Sequence, residues 1–430
     1  MLNQEQEKVI NSNERFLFLL AGAGSGKTRV IVEKIKRLID EGVEPHTILA
    51  ITFTRKSAHE MKERVNHEQI AIHTFHQFCY LGLEKYNQSE INLIDETKLN
   101  FKREELLKIS KYKNSLYRTS KPKSYDSYQS QLLSNRQKDF DDLLLDYLYI
   151  LKKNKDIHSF RYIFVDEFQD TNLLQYELLK QLIKKNTFVL AVGDPDQSIY
   201  QFRGANAKII DQYLSEFKAI TYTLSTNYRS TQTIINYANR LIDYNNRKHK
   251  KKLIAYSELK SNVISFYFED EVKEAIRIIE LIHHFKGLGY KLQEMCILFR
   301  NHYRSYELKH QLKLRDLNFN TGDQSSDQGI HLLSIHQAKG LEFDIVMIIG
   351  LEKGLFPSIK NNTQSERDEE RRLMFVAMTR ARRHLFFSHV RLNSLKNIQK
   401  PSNFLIECGV KHVKKRTLNG IILLGDFNEH

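Results

Sequence analysis

Residues 16–28 read FLFLLAGAGSGKT, and that stretch decides the fold class. The apolar run Phe16–Leu20 has the length of a buried strand, and AGAGSGKT (Ala21–Thr28) follows it directly. Beyond the glycines, Val30, Ile31, Ile35, Leu38 and Ile39 recur at helical spacing. A strand, a glycine-rich turn and a helix opening on Lys-Thr form a phosphate-binding loop. Gly22, Gly24 and Gly26, interleaved with Ala21, Ala23 and Ser25, let the backbone wrap an anion, with N–H groups and the helix N-terminus pointing at it. Lys27 is expected to neutralise the β- and γ-phosphates of ATP, and the Thr28 hydroxyl to hold Mg²⁺. One position departs from the strict pattern: its first glycine is Ala21.

Working outward, a second apolar run, Tyr162–Val165, ends in Asp166 and Glu167. Acids at the C-terminal end of a parallel strand sit where α/β sheets place ligands. Asp166 is expected in the Mg²⁺ shell, and Glu167 as the base that orients and deprotonates the attacking water. A third run, Phe188–Val192, leads to GDPDQSIYQFRGA, in which Gln197 can sense the γ-phosphate. Tyr200, Phe202 and Arg203 either stack on exposed bases and contact phosphates, or pack as core aromatics beside a local ion pair. Further strands are expected at Ile48–Phe53, Val263–Phe268, Met295–Phe299, His331–Ile335 and Ile345–Ile349, alternating with helical patterns. The fold class is therefore α/β, with mainly parallel sheets in two groups divided near residue 225.

The 430 residues suggest about three compact units by length. The formal charge of +14 favours a polyanion partner, and 41% hydrophobic residues fit a folded chain. Cys79, Cys296 and Cys408 are far apart, which argues against a disulfide framework or a zinc cluster. The opening MLNQEQEKVI lacks the pattern of a signal peptide, and no apolar run is long enough for a membrane span, so a reduced, cytoplasmic protein is expected. Residues 98–138 hold 11 Lys/Arg against 3 Asp/Glu, either as a basic helical insertion or as a solvated surface. The run RKHKKK (Arg247–Lys252) reads as an exposed basic turn.

Taken in order, these segments resemble the UvrD/Rep family of superfamily 1 DNA helicases, over most of residues 1–405. LNQEQ (2–6) resembles the family's adenine-reading element, which implies that Gln6 contacts adenine. AGAGSGKTR matches its phosphate loop, Ala21 included, and implies that Arg29 packs on the base. ITFTRKSAHEMKERV (51–65), IHTFHQFC (72–79), DFDDLL (139–144), VDEFQDTN (165–172) and GDPDQSIYQFRGA (193–205) continue the series. LSTNYRS (224–230) implies an adenine-stacking Tyr228 and an arginine finger, Arg229. HLLSIHQAKGLEFDIVMIIGLEKGLFP (331–357) implies a DNA contact at His336 and a ribose contact at Glu342, and RRLMFVAMTRARRHL (371–385) a second arginine finger at Arg380. PSNFL (401–405) resembles the sequence that closes the motor core. The implied DNA contacts are Phe53, Thr74, Phe75, His76, Tyr200, Phe202, Arg203 and His336.

The resemblance implies two RecA-like lobes: 1–80 with 139–225, carrying the phosphate loop, and 226–405. It places a reduced helical insertion at 81–138 and a short tail at 406–430. It implies ATP-driven 3′→5′ movement on single-stranded DNA, the cleft closing on ATP and reopening after hydrolysis, with engagement of single-strand/duplex junctions. Two departures stand out. The family's second insertion is reduced to KLRDLNFNTGDQSSDQG (313–329), and a chain without the family's C-terminal extension is expected. Phe202 and Arg55 replace the family's tryptophan and asparagine, and Tyr306 replaces an arginine. The main alternative is a DNA-stimulated ATPase whose partner protein replaces the second insertion, in a nuclease, repair, plasmid or phage-defence complex. A non-catalytic ATP switch and an RNA track are the other readings.

Overall fold

The computed structural model describes residues 2–87, 91–95, 99–206, 208–259, 261, 263–322, 328–358, 363–410 and 412–413. They form two compact units, where length alone suggested about three. One runs to Ala21 and from Gly26 to Leu224; the other takes Gly22–Ser25 and the described residues from Ser225 onward.

The first unit is built on six parallel strands: β1 (Phe16–Ala21), β2 (Ile48–Thr52), β3 (Ala71–Thr74), β4 (Tyr162–Val165), β5 (Phe188–Gly193) and β6 (Ile220–Leu224), in the order β3-β2-β4-β5-β1-β6. Phe18 and Leu20 of β1 face one core, while Leu17, Leu19 and Ala21 face another. Burial on both faces explains why β1 is a continuous apolar run rather than an alternating one. Helices α1 (Gln4–Asn11), α2 (Lys27–Asp40) and α3 (Arg55–Val65) cover one face. α4 (Phe75–Asn87) carries core residues of the other. The insertion follows as α5 (Arg103–Asn114) and α6 (Tyr125–Ser134) over a small core of Ile94, Leu99, Ile109, Tyr128 and Leu132. α7 (Phe140–Lys153), α8 (Leu173–Leu182) and α9 (Lys208–Phe217) complete the unit. The segment expected to be helical and basic does contain two helices. Its boundary at residue 81 does not hold, because α4 runs through it and buries Leu83 in the main core.

The second unit opens with a parallel two-stranded ribbon, β7 (Thr226–Thr231) and β8 (Ile254–Ser257), with α10 (Gln232–Ile242) between them. Its main sheet comprises β9 (Val263–Asp270), β10 (Met295–Phe299), β11 (Phe319–Asn320), β12 (Ile330–Ser334), β13 (Phe343–Ile349), β14 (Ala381–Leu392) and β15 (His412–Val413). The order is β11-β12-β10-β13-β14-β9-β15, parallel throughout. α11 (Glu271–Gly287), α12 (Tyr306–Lys313), α13 (Gln364–Met378) and α14 (Asn403–Cys408) complete it.

All eight strands expected from apolar runs form, within two residues of the expected ends. Two boundaries move. Lys313 still belongs to α12, and Phe319–Asn320 pairs with β12, so these residues of the stretch 313–329 are lobe framework; residues 323–327 lie outside the described residues. α14 crosses the expected tail boundary at 406 and buries Cys408; residues 414–430 lie outside the described residues. All three cysteines are buried free thiols. No described helix is long and apolar enough to cross a membrane.

Candidate nucleotide and nucleic-acid sites

The first unit gathers its polar residues at the C-terminal ends of parallel strands, as the sequence pattern demands. β1 ends at Ala21, and α2 begins at Lys27 behind Gly26, whose φ of 83° is left-handed. Gly24 also has a positive φ, 63°. The first turn of α2 carries no acidic residue and no side-chain cap, so its N-terminal N–H groups are suited to an anion. Gln6 is buried; its carbonyl accepts from Asn3 N at 3.1 Å, capping α1. Its amide nitrogen faces Gly26, where a Cβ would lie 2.9 Å from it. Arg29 is exposed on the first turn of α2.

Lys27 Nζ lies 3.0 Å from Glu167 Oε1, and Thr28 Oγ1 lies 3.3 Å from Asp166 Oδ2. Lys27 Nζ is buried and makes no well-directed hydrogen bond, leaving donor capacity for phosphate oxygens. Burial and the neighbouring Glu167 push the Asp166 carboxyl up to about 6, against the opposing pull of Lys27. A buried carboxylate beside a hydroxyl is an oxygen donor set suited to Mg²⁺. Glu167 has a left-handed backbone, φ 53°, which is strained for a residue with a Cβ. Gln169 holds this turn in place: its amide nitrogen donates to the Glu167 carboxylate, and its carbonyl accepts from Asp194 N at 2.8 Å. Gly193 is required because a Cβ there would come within 2.8 Å of that Gln169 carbonyl oxygen. Gln197, the expected γ-phosphate sensor, is buried and donates to Asp194 Oδ2 at 2.5 Å.

The expected nucleic-acid residues of this unit divide. The Phe53 and Tyr200 rings stack at 5.0 Å and 24°, and Phe202 lies 6.0 Å from Tyr200, with 39% of its surface exposed. These three form one aromatic group at the ends of β2 and β5. Phe75, by contrast, is a core residue, and Thr74 is buried with its hydroxyl accepting from Gln77 N at 3.2 Å. The chain enters α4 at this point, which turns Phe75 inward. His76 packs edge-on against Phe140; burial and Arg55 lower it to about 4, so it is neutral at physiological pH. The side chain of Arg203 lies outside the described residues.

In the second unit, Arg229 Nε donates to Glu342 Oε2 at 2.5 Å and its Nη1 to Thr379 O at 3.2 Å. Arg382 also pairs with Glu342, and the two arginines hold that carboxyl below its usual range despite burial. Glu342, expected at the ribose, is here an arginine partner. Arg380 is 2% exposed and donates to Val376 O at 3.0 Å and Leu341 O at 2.9 Å. Tyr228 is 40% exposed, and His336 follows β12, half-buried.

Sequence reasoning missed Asn227. It is fully buried, donates to Ala23 O at 2.7 Å, and accepts from Arg229 N at 2.9 Å and Ser230 N at 2.7 Å. Gln169 was missed as well. In both cases the signal is an amide side chain inside an otherwise assigned motif. Among the described residues, no cluster of three or more His, Cys, Asp or Glu could hold a metal ion.

Comparison with known proteins agrees with this geometry. A model of the UvrD/REP helicase N-terminal domain matches residues 2–101 and 89–218. A model of the UvrD-like helicase C-terminal domain matches residues 222–326 and 321–391. A probable DNA helicase of Mycoplasma pneumoniae is 32% identical over 464 residues, covering 94% of this chain and 86% of the relative. A probable DNA helicase II homolog of Mycoplasma capricolum is 32% identical, covering 74% of this chain and 51% of the relative. The ATP-dependent DNA helicase PcrA of Staphylococcus aureus is 35% identical, covering 72% and 49%. The matched region thus spans about half the length of the last two relatives.

Proposed function

Because the chain belongs to the UvrD/Rep helicase family, we propose that it is an ATP-driven motor on single-stranded DNA, a translocase and helicase of 3′→5′ polarity. The observation that carries this reading is the constellation of Lys27, Thr28, Asp166 and Glu167, with Glu167 held in a strained turn by Gln169. Lys27 and the α2 N-terminus bind the phosphates. Thr28 and Asp166 hold Mg²⁺, which supplies charge neutralisation at the phosphate oxygens. Glu167 takes the proton of the attacking water. Gln169 fixes the direction from which it does so, and Gln197 links the γ-phosphate to the segment bearing Tyr200 and Phe202. Arg229 and Arg380 supply positive charge to the transferring phosphoryl group, for which Arg229 must exchange its hold on Glu342. Phe53, Tyr200 and Phe202 offer π-faces that accept any base, and the +14 charge attracts the phosphate backbone without regard to sequence.

The test is ATP hydrolysis by the purified chain, with and without single-stranded DNA, beside Lys27→Ala and Glu167→Gln. DNA stimulation in the wild type is expected. Glu167→Gln should fall by about 10²–10⁴, the usual weight of a general base, and Lys27→Ala should lose turnover because the phosphates lose their cation. A wild type that hydrolyses nothing with any DNA would refute the motor reading.

A second reading rests on residues 313–329. Lys313 ends α12 and Phe319–Asn320 form the edge strand β11, and the whole stretch is only 17 residues long, short for an inserted domain. On this reading the chain translocates alone but opens duplex only with a partner protein. Robust unwinding of a 3′-tailed duplex by the purified chain would refute it.

A further inference from the structure

The ribbon of β7 and β8 is pinned to the phosphate-loop segment Gly22–Ser25 by main-chain and side-chain bonds. Tyr228 N donates to Gly24 O at 2.9 Å, and Asn227 Nδ2 to Ala23 O at 2.7 Å. Leu253, one residue before β8, fills the space beside Gly22, where a Cβ would lie 2.1 Å from its Cδ2. β8 is held in turn by Ile254 N to Ser225 O at 3.0 Å and Ala255 N to Gln232 Oε1 at 2.9 Å. Anything displayed on this ribbon therefore stands at a fixed place relative to Gly22–Ser25.

What it displays is a pair of tyrosines. The parallel register aligns Thr226 with Ile254 and Asn227 with Ala255 and shifts before Thr231; Tyr228 and Tyr256 follow the last aligned pair. Their rings lie 5.0 Å apart at 38°. Tyr228 is 40% exposed and Tyr256 72%. A ring that open contributes little to the core. Ordinary cross-strand pairing would account for the contact, but not for a large aromatic ring left in water next to a phosphate loop.

We infer that Tyr256 is a positioning residue for the nucleotide base: it holds the ring of Tyr228 in the plane on which a purine stacks. The inference rests on the assignment of Tyr228 as the base-stacking residue. A lone exposed tyrosine samples several ring orientations, and a base that stacks on it must first select one. A second ring at van der Waals distance restricts that sampling before the base arrives, so less ordering cost falls on binding. The phosphates are held elsewhere, so Tyr256 affects recognition of the base rather than the chemical step.

The experiment is steady-state ATP hydrolysis by the full chain with saturating single-stranded DNA, with inorganic tripolyphosphate as a base-free competitor. For Tyr256→Ala, the KM for ATP should rise about three- to tenfold, the range an aromatic pair supplies, with kcat unchanged. Tyr256→Phe should restore the wild-type KM. Tyr228→Ala should raise KM at least as far, and adding Tyr256→Ala to it should change nothing more, because Tyr256 acts through Tyr228. Inhibition by tripolyphosphate should be the same in every variant. The inference is overturned by a Tyr256→Ala KM within twofold of wild type, by a further rise in the Tyr228→Ala background, or by weakened tripolyphosphate inhibition. If Tyr228→Ala itself leaves KM unaltered, the base-stacking assignment falls first and the inference with it.

Discussion

Lys113 lies near the end of α5, in the lysine-rich run KISKYKN, yet its side chain is fully buried. Its Nζ lies 2.7 Å from Asp139 Oδ2 and 2.6 Å from Asp142 Oδ1, under the Tyr128 ring, whose hydroxyl also donates to Asp139 at 2.8 Å. Asp139 in turn caps α7 through Asp142 N at 2.7 Å. One ammonium thus ties the basic insertion to the helix that packs against the lobe core. Replacing it in Lys113→Met leaves two carboxylates close together without their cation. Breaking a buried pair from one side costs about 3–5 kcal/mol. For a unit of this size, that is a drop of about 6–20 °C in midpoint. The loss must depend on pH. Burial and Asp139 already raise the Asp142 carboxyl, and Lys113 is what opposes them. Without Lys113 the folded pKa rises further above the unfolded value. A group of that kind contributes stability that is present below its unfolded pKa and lost as pH rises through the folded one. The variant should therefore be furthest below wild type near pH 8 and recover toward pH 5. Adding Asp139→Asn should return part of the loss, since one carboxylate is then gone. Urea unfolding at both pH values, with hydrogen exchange in α5 and α7, reads the effect. A variant within about 1 kcal/mol of wild type at pH 8, or one that worsens on acidification, would refute the reasoning, because an exposed pair is worth no more than that.

Two further predictions rest on buried charge. Arg304 Nη2 pairs with Glu274 Oε2 at 2.8 Å and Glu352 Oε1 at 3.1 Å, and Glu352 also accepts from Val390 N at 3.0 Å. Arg304→Met should destabilise the second unit by about 3–5 kcal/mol, seen as faster hydrogen exchange in β9 and β14 while β1 and β4 keep their protection; equal exchange in wild type and variant would count against it. Burial and Asp139 push the Asp141 carboxyl up to about 7, above its unfolded value, so its contribution to stability is present at low pH and is lost as pH rises through about 7. Asp141→Asn should thus match wild type near pH 4 and unfold at higher urea at pH 8, with a first-turn dipole effect of about 0.3–1 kcal/mol acting the other way. A variant that is less stable than wild type at pH 8 would show that the dipole, with the hydrogen bond that Asn114 Nδ2 donates to Asp141 Oδ1 at 2.9 Å, outweighs burial.

The fold was legible wherever burial on both faces writes a short apolar run. β1, β4, β5, β10 and β13 are of this kind, and their neighbours are parallel strands on both sides. The strands that sequence reasoning passed over have physical reasons to hide. β6 is an edge strand, exposed at four of its five positions to some degree, so ITYTL lacks a continuous apolar signal. β14 is interior, but it opens on Arg382, Arg383 and His384, which interrupt the apolar signal at its start. The start of the insertion was misplaced because the helical period of α4 gives no sign of where its packing partner changes.

The candidate site divides along the same line. Lys27 and Thr28 at the head of α2, and Asp166 and Glu167 at the end of β4, were singled out because each pair stands next to residues of fixed type. Phe75 and His76 show the limit. Both suit base stacking by residue type, but the chain enters α4 between Thr74 and His76, and only the packing of that helix decides which ring turns inward. Amides hold the motifs together across long gaps in sequence. Gln169 joins the end of β4 to that of β5, Asn172 donates to Asn114 of the insertion at 2.8 Å, and Asn227 joins the ribbon to the phosphate-loop segment. Such side chains have no periodicity and carry no charge, so nothing in a sequence marks their partners. Yet an amide can donate to one group and accept from another at once, which a carboxylate or a lysine cannot. That is why the joints between strand-end motifs are built from Asn and Gln. It also explains why a change at these positions should disturb the motor while every residue assigned to chemistry remains in place.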